Sequence, residues 1–291
     1  MPSMRSGNKP LRKWQFEALG TLWSIETPHE LAVDVRQELT SRIELFDKTY
    51  SRFRRDSLVW ALRQPGEHTF PADVTQIMEL YKKLYDITHG RMTPLIGGML
   101  EEAGYDTDYS LRAQPITAIP PFEALGWDGE QTFITHESIV LDIGAAGKGY
   151  LVDIVARLLE QHQVLTYTID ASGDIKQKGR FEAVGLEHPI DSTKIIGVAN
   201  VQDQSLCASA INRRAWGEFH HVFDPMTKQS TDSMLATWVL ADSTMLADAL
   251  ATALFFVPAA TLLKHFSFSY VTMQPTGAID VSPHFDGELF V

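Results

Sequence analysis

Hydrophobic residues along this chain repeat with two periods, and the places where the period changes divide it into strands, helices and loops. Residues 16–26 alternate apolar and polar around Gly20-Thr21, which predicts a strand with a tight spot. Residues 27–29 then lead into a helix carrying Leu31, Val35, Leu39, Ile43 and Phe46 at helical spacing. A second helix is expected from Asp73, with Val74, Ile77, Leu80, Tyr81 and Leu84 on one face. Residues 90–104 mix Gly, Pro and Met, fit neither period, and read as an irregular loop beside a short helix. Residues 138–143 predict a buried strand. Residues 150–159 predict a helix with Leu151, Ile154, Val155, Leu158 and Leu159 on its apolar side. Strands are expected at 164–169 and 180–186, joined through a turn at Ser172-Gly173-Asp174, and again at 195–200, 206–212 and 220–223. The last strong helix covers 243–256, and 270–272 closes as a strand. With no repeat or low-complexity tract, the pattern describes one α+β domain over residues 14–291, preceded by a flexible segment, residues 1–13.

Composition narrows the functional classes. A chain of 291 residues with 44% hydrophobic content supports a sizeable core. Its formal charge of -12 argues against a protein that grips a nucleic-acid backbone, since that needs a basic face. The first 13 residues are polar and basic without an apolar stretch, and no run is long enough to span a bilayer. The sequence as it stands is therefore expected to be cytoplasmic, or extracytoplasmic if an upstream segment is missing from it. One cysteine, Cys207, excludes an internal disulfide and a cysteine-rich zinc site, and reads as a small packed side chain.

Three stretches carry candidate chemistry. In Leu141-Asp142-Ile143-Gly144-Ala145-Ala146-Gly147-Lys148-Gly149-Tyr150 a strand end runs through a Gly/Ala loop into a helix, placing backbone donors and a lysine where a phosphate can sit. A Walker loop needs four residues between its glycines and a hydroxyl residue after the lysine; here two residues separate Gly144 from Gly147, and Gly149 follows Lys148. The dinucleotide fingerprint is also missing. Either a less common phosphate loop or a tight turn with a surface lysine remains. In Met245 to Phe256 an apolar helix is interrupted by Asp248 and Thr252, four residues apart and so on one face. Oxygen ligands of this kind suit Mg2+; the alternative is an Asp248–arginine pair with Thr252 bonded back one turn. In Phe219-His220-His221-Val222-Phe223-Asp224-Pro225 two adjacent histidines on a strand face opposite ways, so one at most meets a given ligand. The arginine-dense Ser51-Arg52-Phe53-Arg54-Arg55-Asp56-Ser57 reads equally as a solvated loop or a ligand-facing one.

Taken in order, these stretches resemble the ApbE family of FAD:protein FMN transferases. The likeness runs through Ala18-Leu19-Gly20-Thr21, Ser51-Arg52-Phe53, the 90–104 loop, Leu141-Asp142-Ile143-Gly144 with Lys148-Gly149-Tyr150, Ser172-Gly173-Asp174-Ile175, Arg213-Arg214, His221 with Phe223-Asp224-Pro225, and Ala247 to Ala253. The resemblance implies a mixed, largely antiparallel sheet packed with helices, of T-fold-like kind. It implies that FAD is cleaved at its pyrophosphate, that FMN is joined through phosphate to a Thr or Ser of an acceptor flavoprotein, and that AMP leaves. Carried over by position, Mg2+ would be held by the Ala145 carbonyl, Asp248 and Thr252. FAD would be lined by Leu19, Phe53, Arg91, Met92, Thr93, Asp142, Lys148 and Phe223, with Lys148 and His221 as the catalytic residues. His221, near its usual pKa, is the first candidate to accept the hydroxyl proton, with an aspartate near the metal as the alternative. Thr93 stands where many members have aspartate, and Leu19 where methionine is frequent. An FAD pyrophosphatase and a non-catalytic FAD-binding protein are the competing expectations.

Overall fold

The tight spot at Gly20 is a hairpin. A computed structural model describes residues 11–290, and in it Leu19 and Gly20 both take positive φ, 48° and 69°, joining the antiparallel strands Arg12–Ala18 and Thr21–Thr27. Positive φ at both central residues matches the twist of the strands on either side. Of the expected N-terminal segment, residues 1–10 lie outside the described residues. Arg12 and Lys13 belong to the sheet instead, paired with Thr27 and Glu26 and reinforced by a Lys13–Glu26 ion pair at 3.1 Å.

The hairpin opens an eight-stranded sheet that continues with Tyr167–Asp170, Asp174–Lys178, Ser205–Ala210, Ala236–Ala241, Ser269–Met273 and Ile279–Val281. Spatial order follows chain order and every pairing is antiparallel. Long excursions leave the sheet between its strands and cover its two faces differently. The helices Val33–Tyr50, Val74–Ile87, Gly147–Gln161 and Thr244–Ala253 lie on one face, over a core containing Leu39, Phe46, Ile77, Leu151, Val155 and Leu250. A three-stranded sheet, Phe181–Glu187, Ile195–Gln202 and Gly287–Leu289, packs against the other through Leu186, Ile196 and Val201. Alternation along the strands sends Cys207 and Val239 to the helix side and Leu206, Trp238 and Leu240 to the other.

One expected strand is absent. Residues 138–143 are extended, with Ile139, Leu141 and Ile143 buried, but they form no ladder. Their neighbours are a helix end and a 3-10 turn, so Ile139 and Asp142 make only single bonds, to the carbonyls of Leu62 and Pro94 at 3.0 and 2.7 Å. The 220–223 strand is likewise two short pieces, Phe219–His220 and Phe223–Asp224, each in its own small hairpin. Among the described residues no helix is long and apolar enough to cross a membrane.

Candidate functional site

Two helices on the covered face meet end to side, and glycine makes the approach possible. A Cβ on Gly149 would stand 2.4 Å from the Thr244 carbonyl oxygen and 2.8 Å from the Asp248 Cβ, so only glycine fits in the first turn of Gly147–Gln161. The contact is locked from both sides. Asp153 accepts hydrogen bonds from the N–H groups of Thr244 and Met245 at 3.0 and 2.9 Å and from the Thr244 hydroxyl at 2.9 Å, capping the second helix from the first. In return, the Asp248 carboxylate accepts the Gly149 N–H at 2.9 Å.

A further oxygen lies just ahead of this helix. Gly149 is its third residue, whose N–H has no partner within the helix and is satisfied by Asp248, while the carbonyl of Ala145, which precedes the cap residue Ala146, accepts no hydrogen bond among the described residues. Thr252 is also uncommitted. Thr40, Thr49 and Thr88 each donate their hydroxyl to the carbonyl one turn back, at 2.8, 2.7 and 2.7 Å, whereas Thr252 makes no such bond and faces a cavity. Asp248 forms no ion pair among the described residues although it is only 9% exposed. Burial, followed by the nearby charge of Asp174, pushes its carboxyl well above the usual range. A half-used buried carboxylate, a bare carbonyl and a free hydroxyl thus line one cavity of about 280 Å³. All three are hard oxygen donors and fit the Mg2+ set that the resemblance implies.

The Gly/Ala loop is less open than a phosphate cradle. Its Gly144 N–H donates to Asp142 at 2.6 Å, and those of Ala146 and Gly147 both go to the Ile143 carbonyl, so most of its backbone donors are spent internally. Charge is supplied by Lys148. Its ammonium stands 3.0 Å from Asp174 and 3.1 Å from the Ala171 carbonyl. Burial alone would lower its pKa, but the charges of Asp174 and Asp248 outweigh that and hold it above the ordinary lysine value. Lys148 is a fixed cation. Asp174, 1% exposed, leads the strand after the Ser172-Gly173 turn and is raised by burial against the opposing effect of Lys148.

The same cavity gathers Arg91, Met92, Thr93, Asp142, His221 and Phe223 with Ala145, Lys148, Asp248 and Thr252. Thr93 accepts the Leu95 N–H at 3.2 Å as the cap of a 3-10 turn, Arg91 pairs with Asp224 at 3.3 Å, and Phe223 is buried against Met99 and Trp216. Leu19 and Phe53 line an adjoining cavity of about 670 Å³, which shares Asp142, Gly144 and Lys148 with the first. The arginine loop is not solvated where it matters. Arg52 is buried, ion-paired to Asp142 at 2.5 Å and to Glu101 at 3.6 Å, with its guanidinium 4.1 Å from the Phe53 ring centre. Asp142 therefore ties the arginine to the loop.

His221 needs correction. The two histidines do face apart: His220 is fixed by Nε2–H donating to the Thr231 carbonyl at 2.7 Å, and His221 faces the cavity. Its titration is far from usual, however, because desolvation and then the charge of Arg214 push it down to about 3. Its Nδ1 is buried without a partner. Sequence reasoning also passed over Asp174 and Arg214 as site residues, although both fall in stretches that carried the resemblance. Cys207 is the packed thiol expected, fully buried.

An antiparallel sheet whose helix-covered face opens into paired cavities, lined by hard oxygen donors and a fixed lysine, defines a protein of the α+β class. Comparison identifies the group: the ApbE family profile matches residues 19–270, and the chain belongs to that family. Similar proteins include the FAD:protein FMN transferase of Klebsiella pneumoniae (strain 342), 22% identical over 80% of this chain and 74% of its own length. That of Vibrio cholerae (strain O395) is 23% identical over 81% and 78%. Among solved structures, the ApbE protein of Thermotoga maritima superposes with a TM-score of 0.81 at 18% identity, covering 94% of this chain and 97% of that one. The flavin transferase ApbE of Vibrio cholerae gives 0.78 at 18% identity, covering 95% and 99%.

Proposed function

We propose that this chain is a Mg2+-dependent FAD:protein FMN transferase, moving FMN from FAD to a Thr or Ser hydroxyl of an acceptor protein. The observation that carries the reading is the trio of uncommitted oxygens, Ala145 carbonyl, Asp248 carboxylate and Thr252 hydroxyl, in one cavity with the protonated Lys148. The names of the family relatives support the same chemistry. Bound there, Mg2+ supplies charge neutralisation to a diphosphate. In the reaction the acceptor oxygen bonds to the FMN phosphorus, the bond from that phosphorus to the bridging oxygen breaks, and AMP leaves with the electron pair. Lys148 offsets the negative charge that builds on the phosphoryl oxygens, and being pinned by Asp174 it needs no reorganisation to do so.

His221 accepts the hydroxyl proton. A free imidazole titrating at about 3 is a weak base, but it is unprotonated at neutral pH and so available. An anionic diphosphate beside it offsets the Arg214 charge that depresses it and draws its pKa back upward. Incubation with FAD, Mg2+ and an acceptor domain tests the reading through AMP release and flavin fluorescence of the acceptor on a denaturing gel. AMP with a fluorescent acceptor is the expected result. AMP alone identifies a pyrophosphatase, and retained FAD with neither product identifies a binding protein; either sinks the transferase assignment.

A further inference from the structure

The positive side chains around the two cavities differ in how far they are committed. Arg52 is held by Asp142 and Glu101, Arg91 by Asp224, Lys148 by Asp174, and Arg213 by Glu187 at 3.2 Å. Arg214 is the exception. Among the described residues its guanidinium makes no ion pair and no hydrogen bond, yet it lines both cavities and so stands on the wall they share. Its backbone is not loose. The Arg214 carbonyl accepts the His221 N–H at 3.1 Å. Two residues on, Trp216 is buried, stacked on Tyr105 with ring centres 5.2 Å apart, and donates its indole N–H to the Ala103 carbonyl at 2.7 Å. An anchored backbone thus presents an unpaired cation at the junction of a cavity with oxygen donors and a larger, aromatic-walled one.

We propose that Arg214 is a substrate-binding residue whose guanidinium contacts the diphosphate of FAD where the molecule crosses from one cavity to the other. The assignment rests on the transferase reading for the identity of the ligand. The chemistry favours it: a guanidinium offers planar paired donors that match phosphate oxygens, and the backbone donors of the Gly/Ala loop are largely spent. Arg214 therefore supplies hydrogen bonds that the helix start does not.

The test compares ligands with and without phosphate. Wild type, Arg214→Gln and Arg214→Lys are titrated with FAD and with riboflavin in the presence of Mg2+, following flavin fluorescence, with circular dichroism confirming that each variant folds. The side chain is exposed, so both variants are expected to fold. Arg214→Gln should weaken FAD about tenfold or more and leave riboflavin unchanged, Arg214→Lys should fall between, and added salt should narrow the difference from wild type. Equal weakening of FAD and riboflavin, unchanged FAD affinity, or a wild type that holds FAD no better than riboflavin would each overturn the proposal. AMP release is read separately. A wild type that binds FAD without releasing AMP defeats the transferase reading, while the two titrations still decide the role of Arg214.

Discussion

The helices Gly147–Gln161 and Thr244–Ala253 start within contact of one another, and their first turns are treated in opposite ways. The second is closed: Ser243 accepts the Leu246 N–H at 3.1 Å, and Asp153 accepts those of Thr244 and Met245. Every group is used to hold the helix. The first has no side chain of its own as a cap; its Gly149 N–H is satisfied from the other helix by Asp248, and the Ala145 carbonyl just ahead of it accepts no hydrogen bond among the described residues. One helix start is thus spent on stability and the other is left with polar groups facing a cavity. Two aspartates, 95 positions apart in sequence, perform the exchange, and their roles should separate cleanly.

Replacing Asp248 gives the largest effect. Asp248→Asn keeps an acceptor for Gly149 but removes the charge, so AMP release should fall by at least about a hundredfold, near 3 kcal/mol, while the melting temperature holds or rises because a buried, raised carboxylate is relieved. Unchanged turnover in this variant would refute the assignment of the open start. Asp153→Ala should do the reverse. Losing three hydrogen bonds at a buried cap should cost about 2 to 3 kcal/mol in denaturant unfolding, with the kcat of the folded fraction little changed. Gly149→Ala probes the contact that joins the two. The added methyl, 2.4 Å from the Thr244 oxygen, should cost about 2 kcal/mol and, by displacing Asp248, lower turnover as well. A Gly149→Ala variant that loses stability alone would show that the cavity tolerates a shift between the helices.

The two starts were not equally legible in the chain. Helical spacing exposes both helices, and the four-residue interval puts Asp248 and Thr252 on one face without any structure. What spacing does not show is that Asp248 also satisfies the start of the other helix, because the Gly149–Asp248 bond joins positions 99 apart. The Arg52 loop was ambiguous for the same reason: its partner Asp142 lies 90 residues away, and distant partners, Asp142 together with Glu101 and the Tyr105 carbonyl, make burial of the arginine tolerable. Asp174 follows Ser172-Gly173, a sequence that looks like a solvated turn, and nothing local reports its burial. The strand Ala236–Ala241 was missed outright. Covered on both faces of the sheet, it is buried at every position and lacks the alternation that marks a strand with one solvent side.

The smallest effect concerns the histidine beside the open start. His221 titrates at about 3 in the folded chain against an ordinary 6.5, so between those values the unfolded chain binds a proton that the folded chain refuses. Stability then rises with pH across the window: the contribution is complete above 6.5 and is lost as pH falls toward 3. Near pH 5.5 the loss is about 1 kcal/mol. His220 is lowered too, by burial, and would confuse a wild-type curve taken alone. The informative quantity is the difference between wild type and His221→Gln in urea unfolding without ligand, which should be level above pH 7 and turn against wild type as acid is added. Parallel curves would mean that His221 titrates alike in both states and that its imidazole is better hydrated than a buried, unpartnered Nδ1 permits. The open start would then be wet, and the low-dielectric reinforcement of Lys148 and Asp248 would weaken with it.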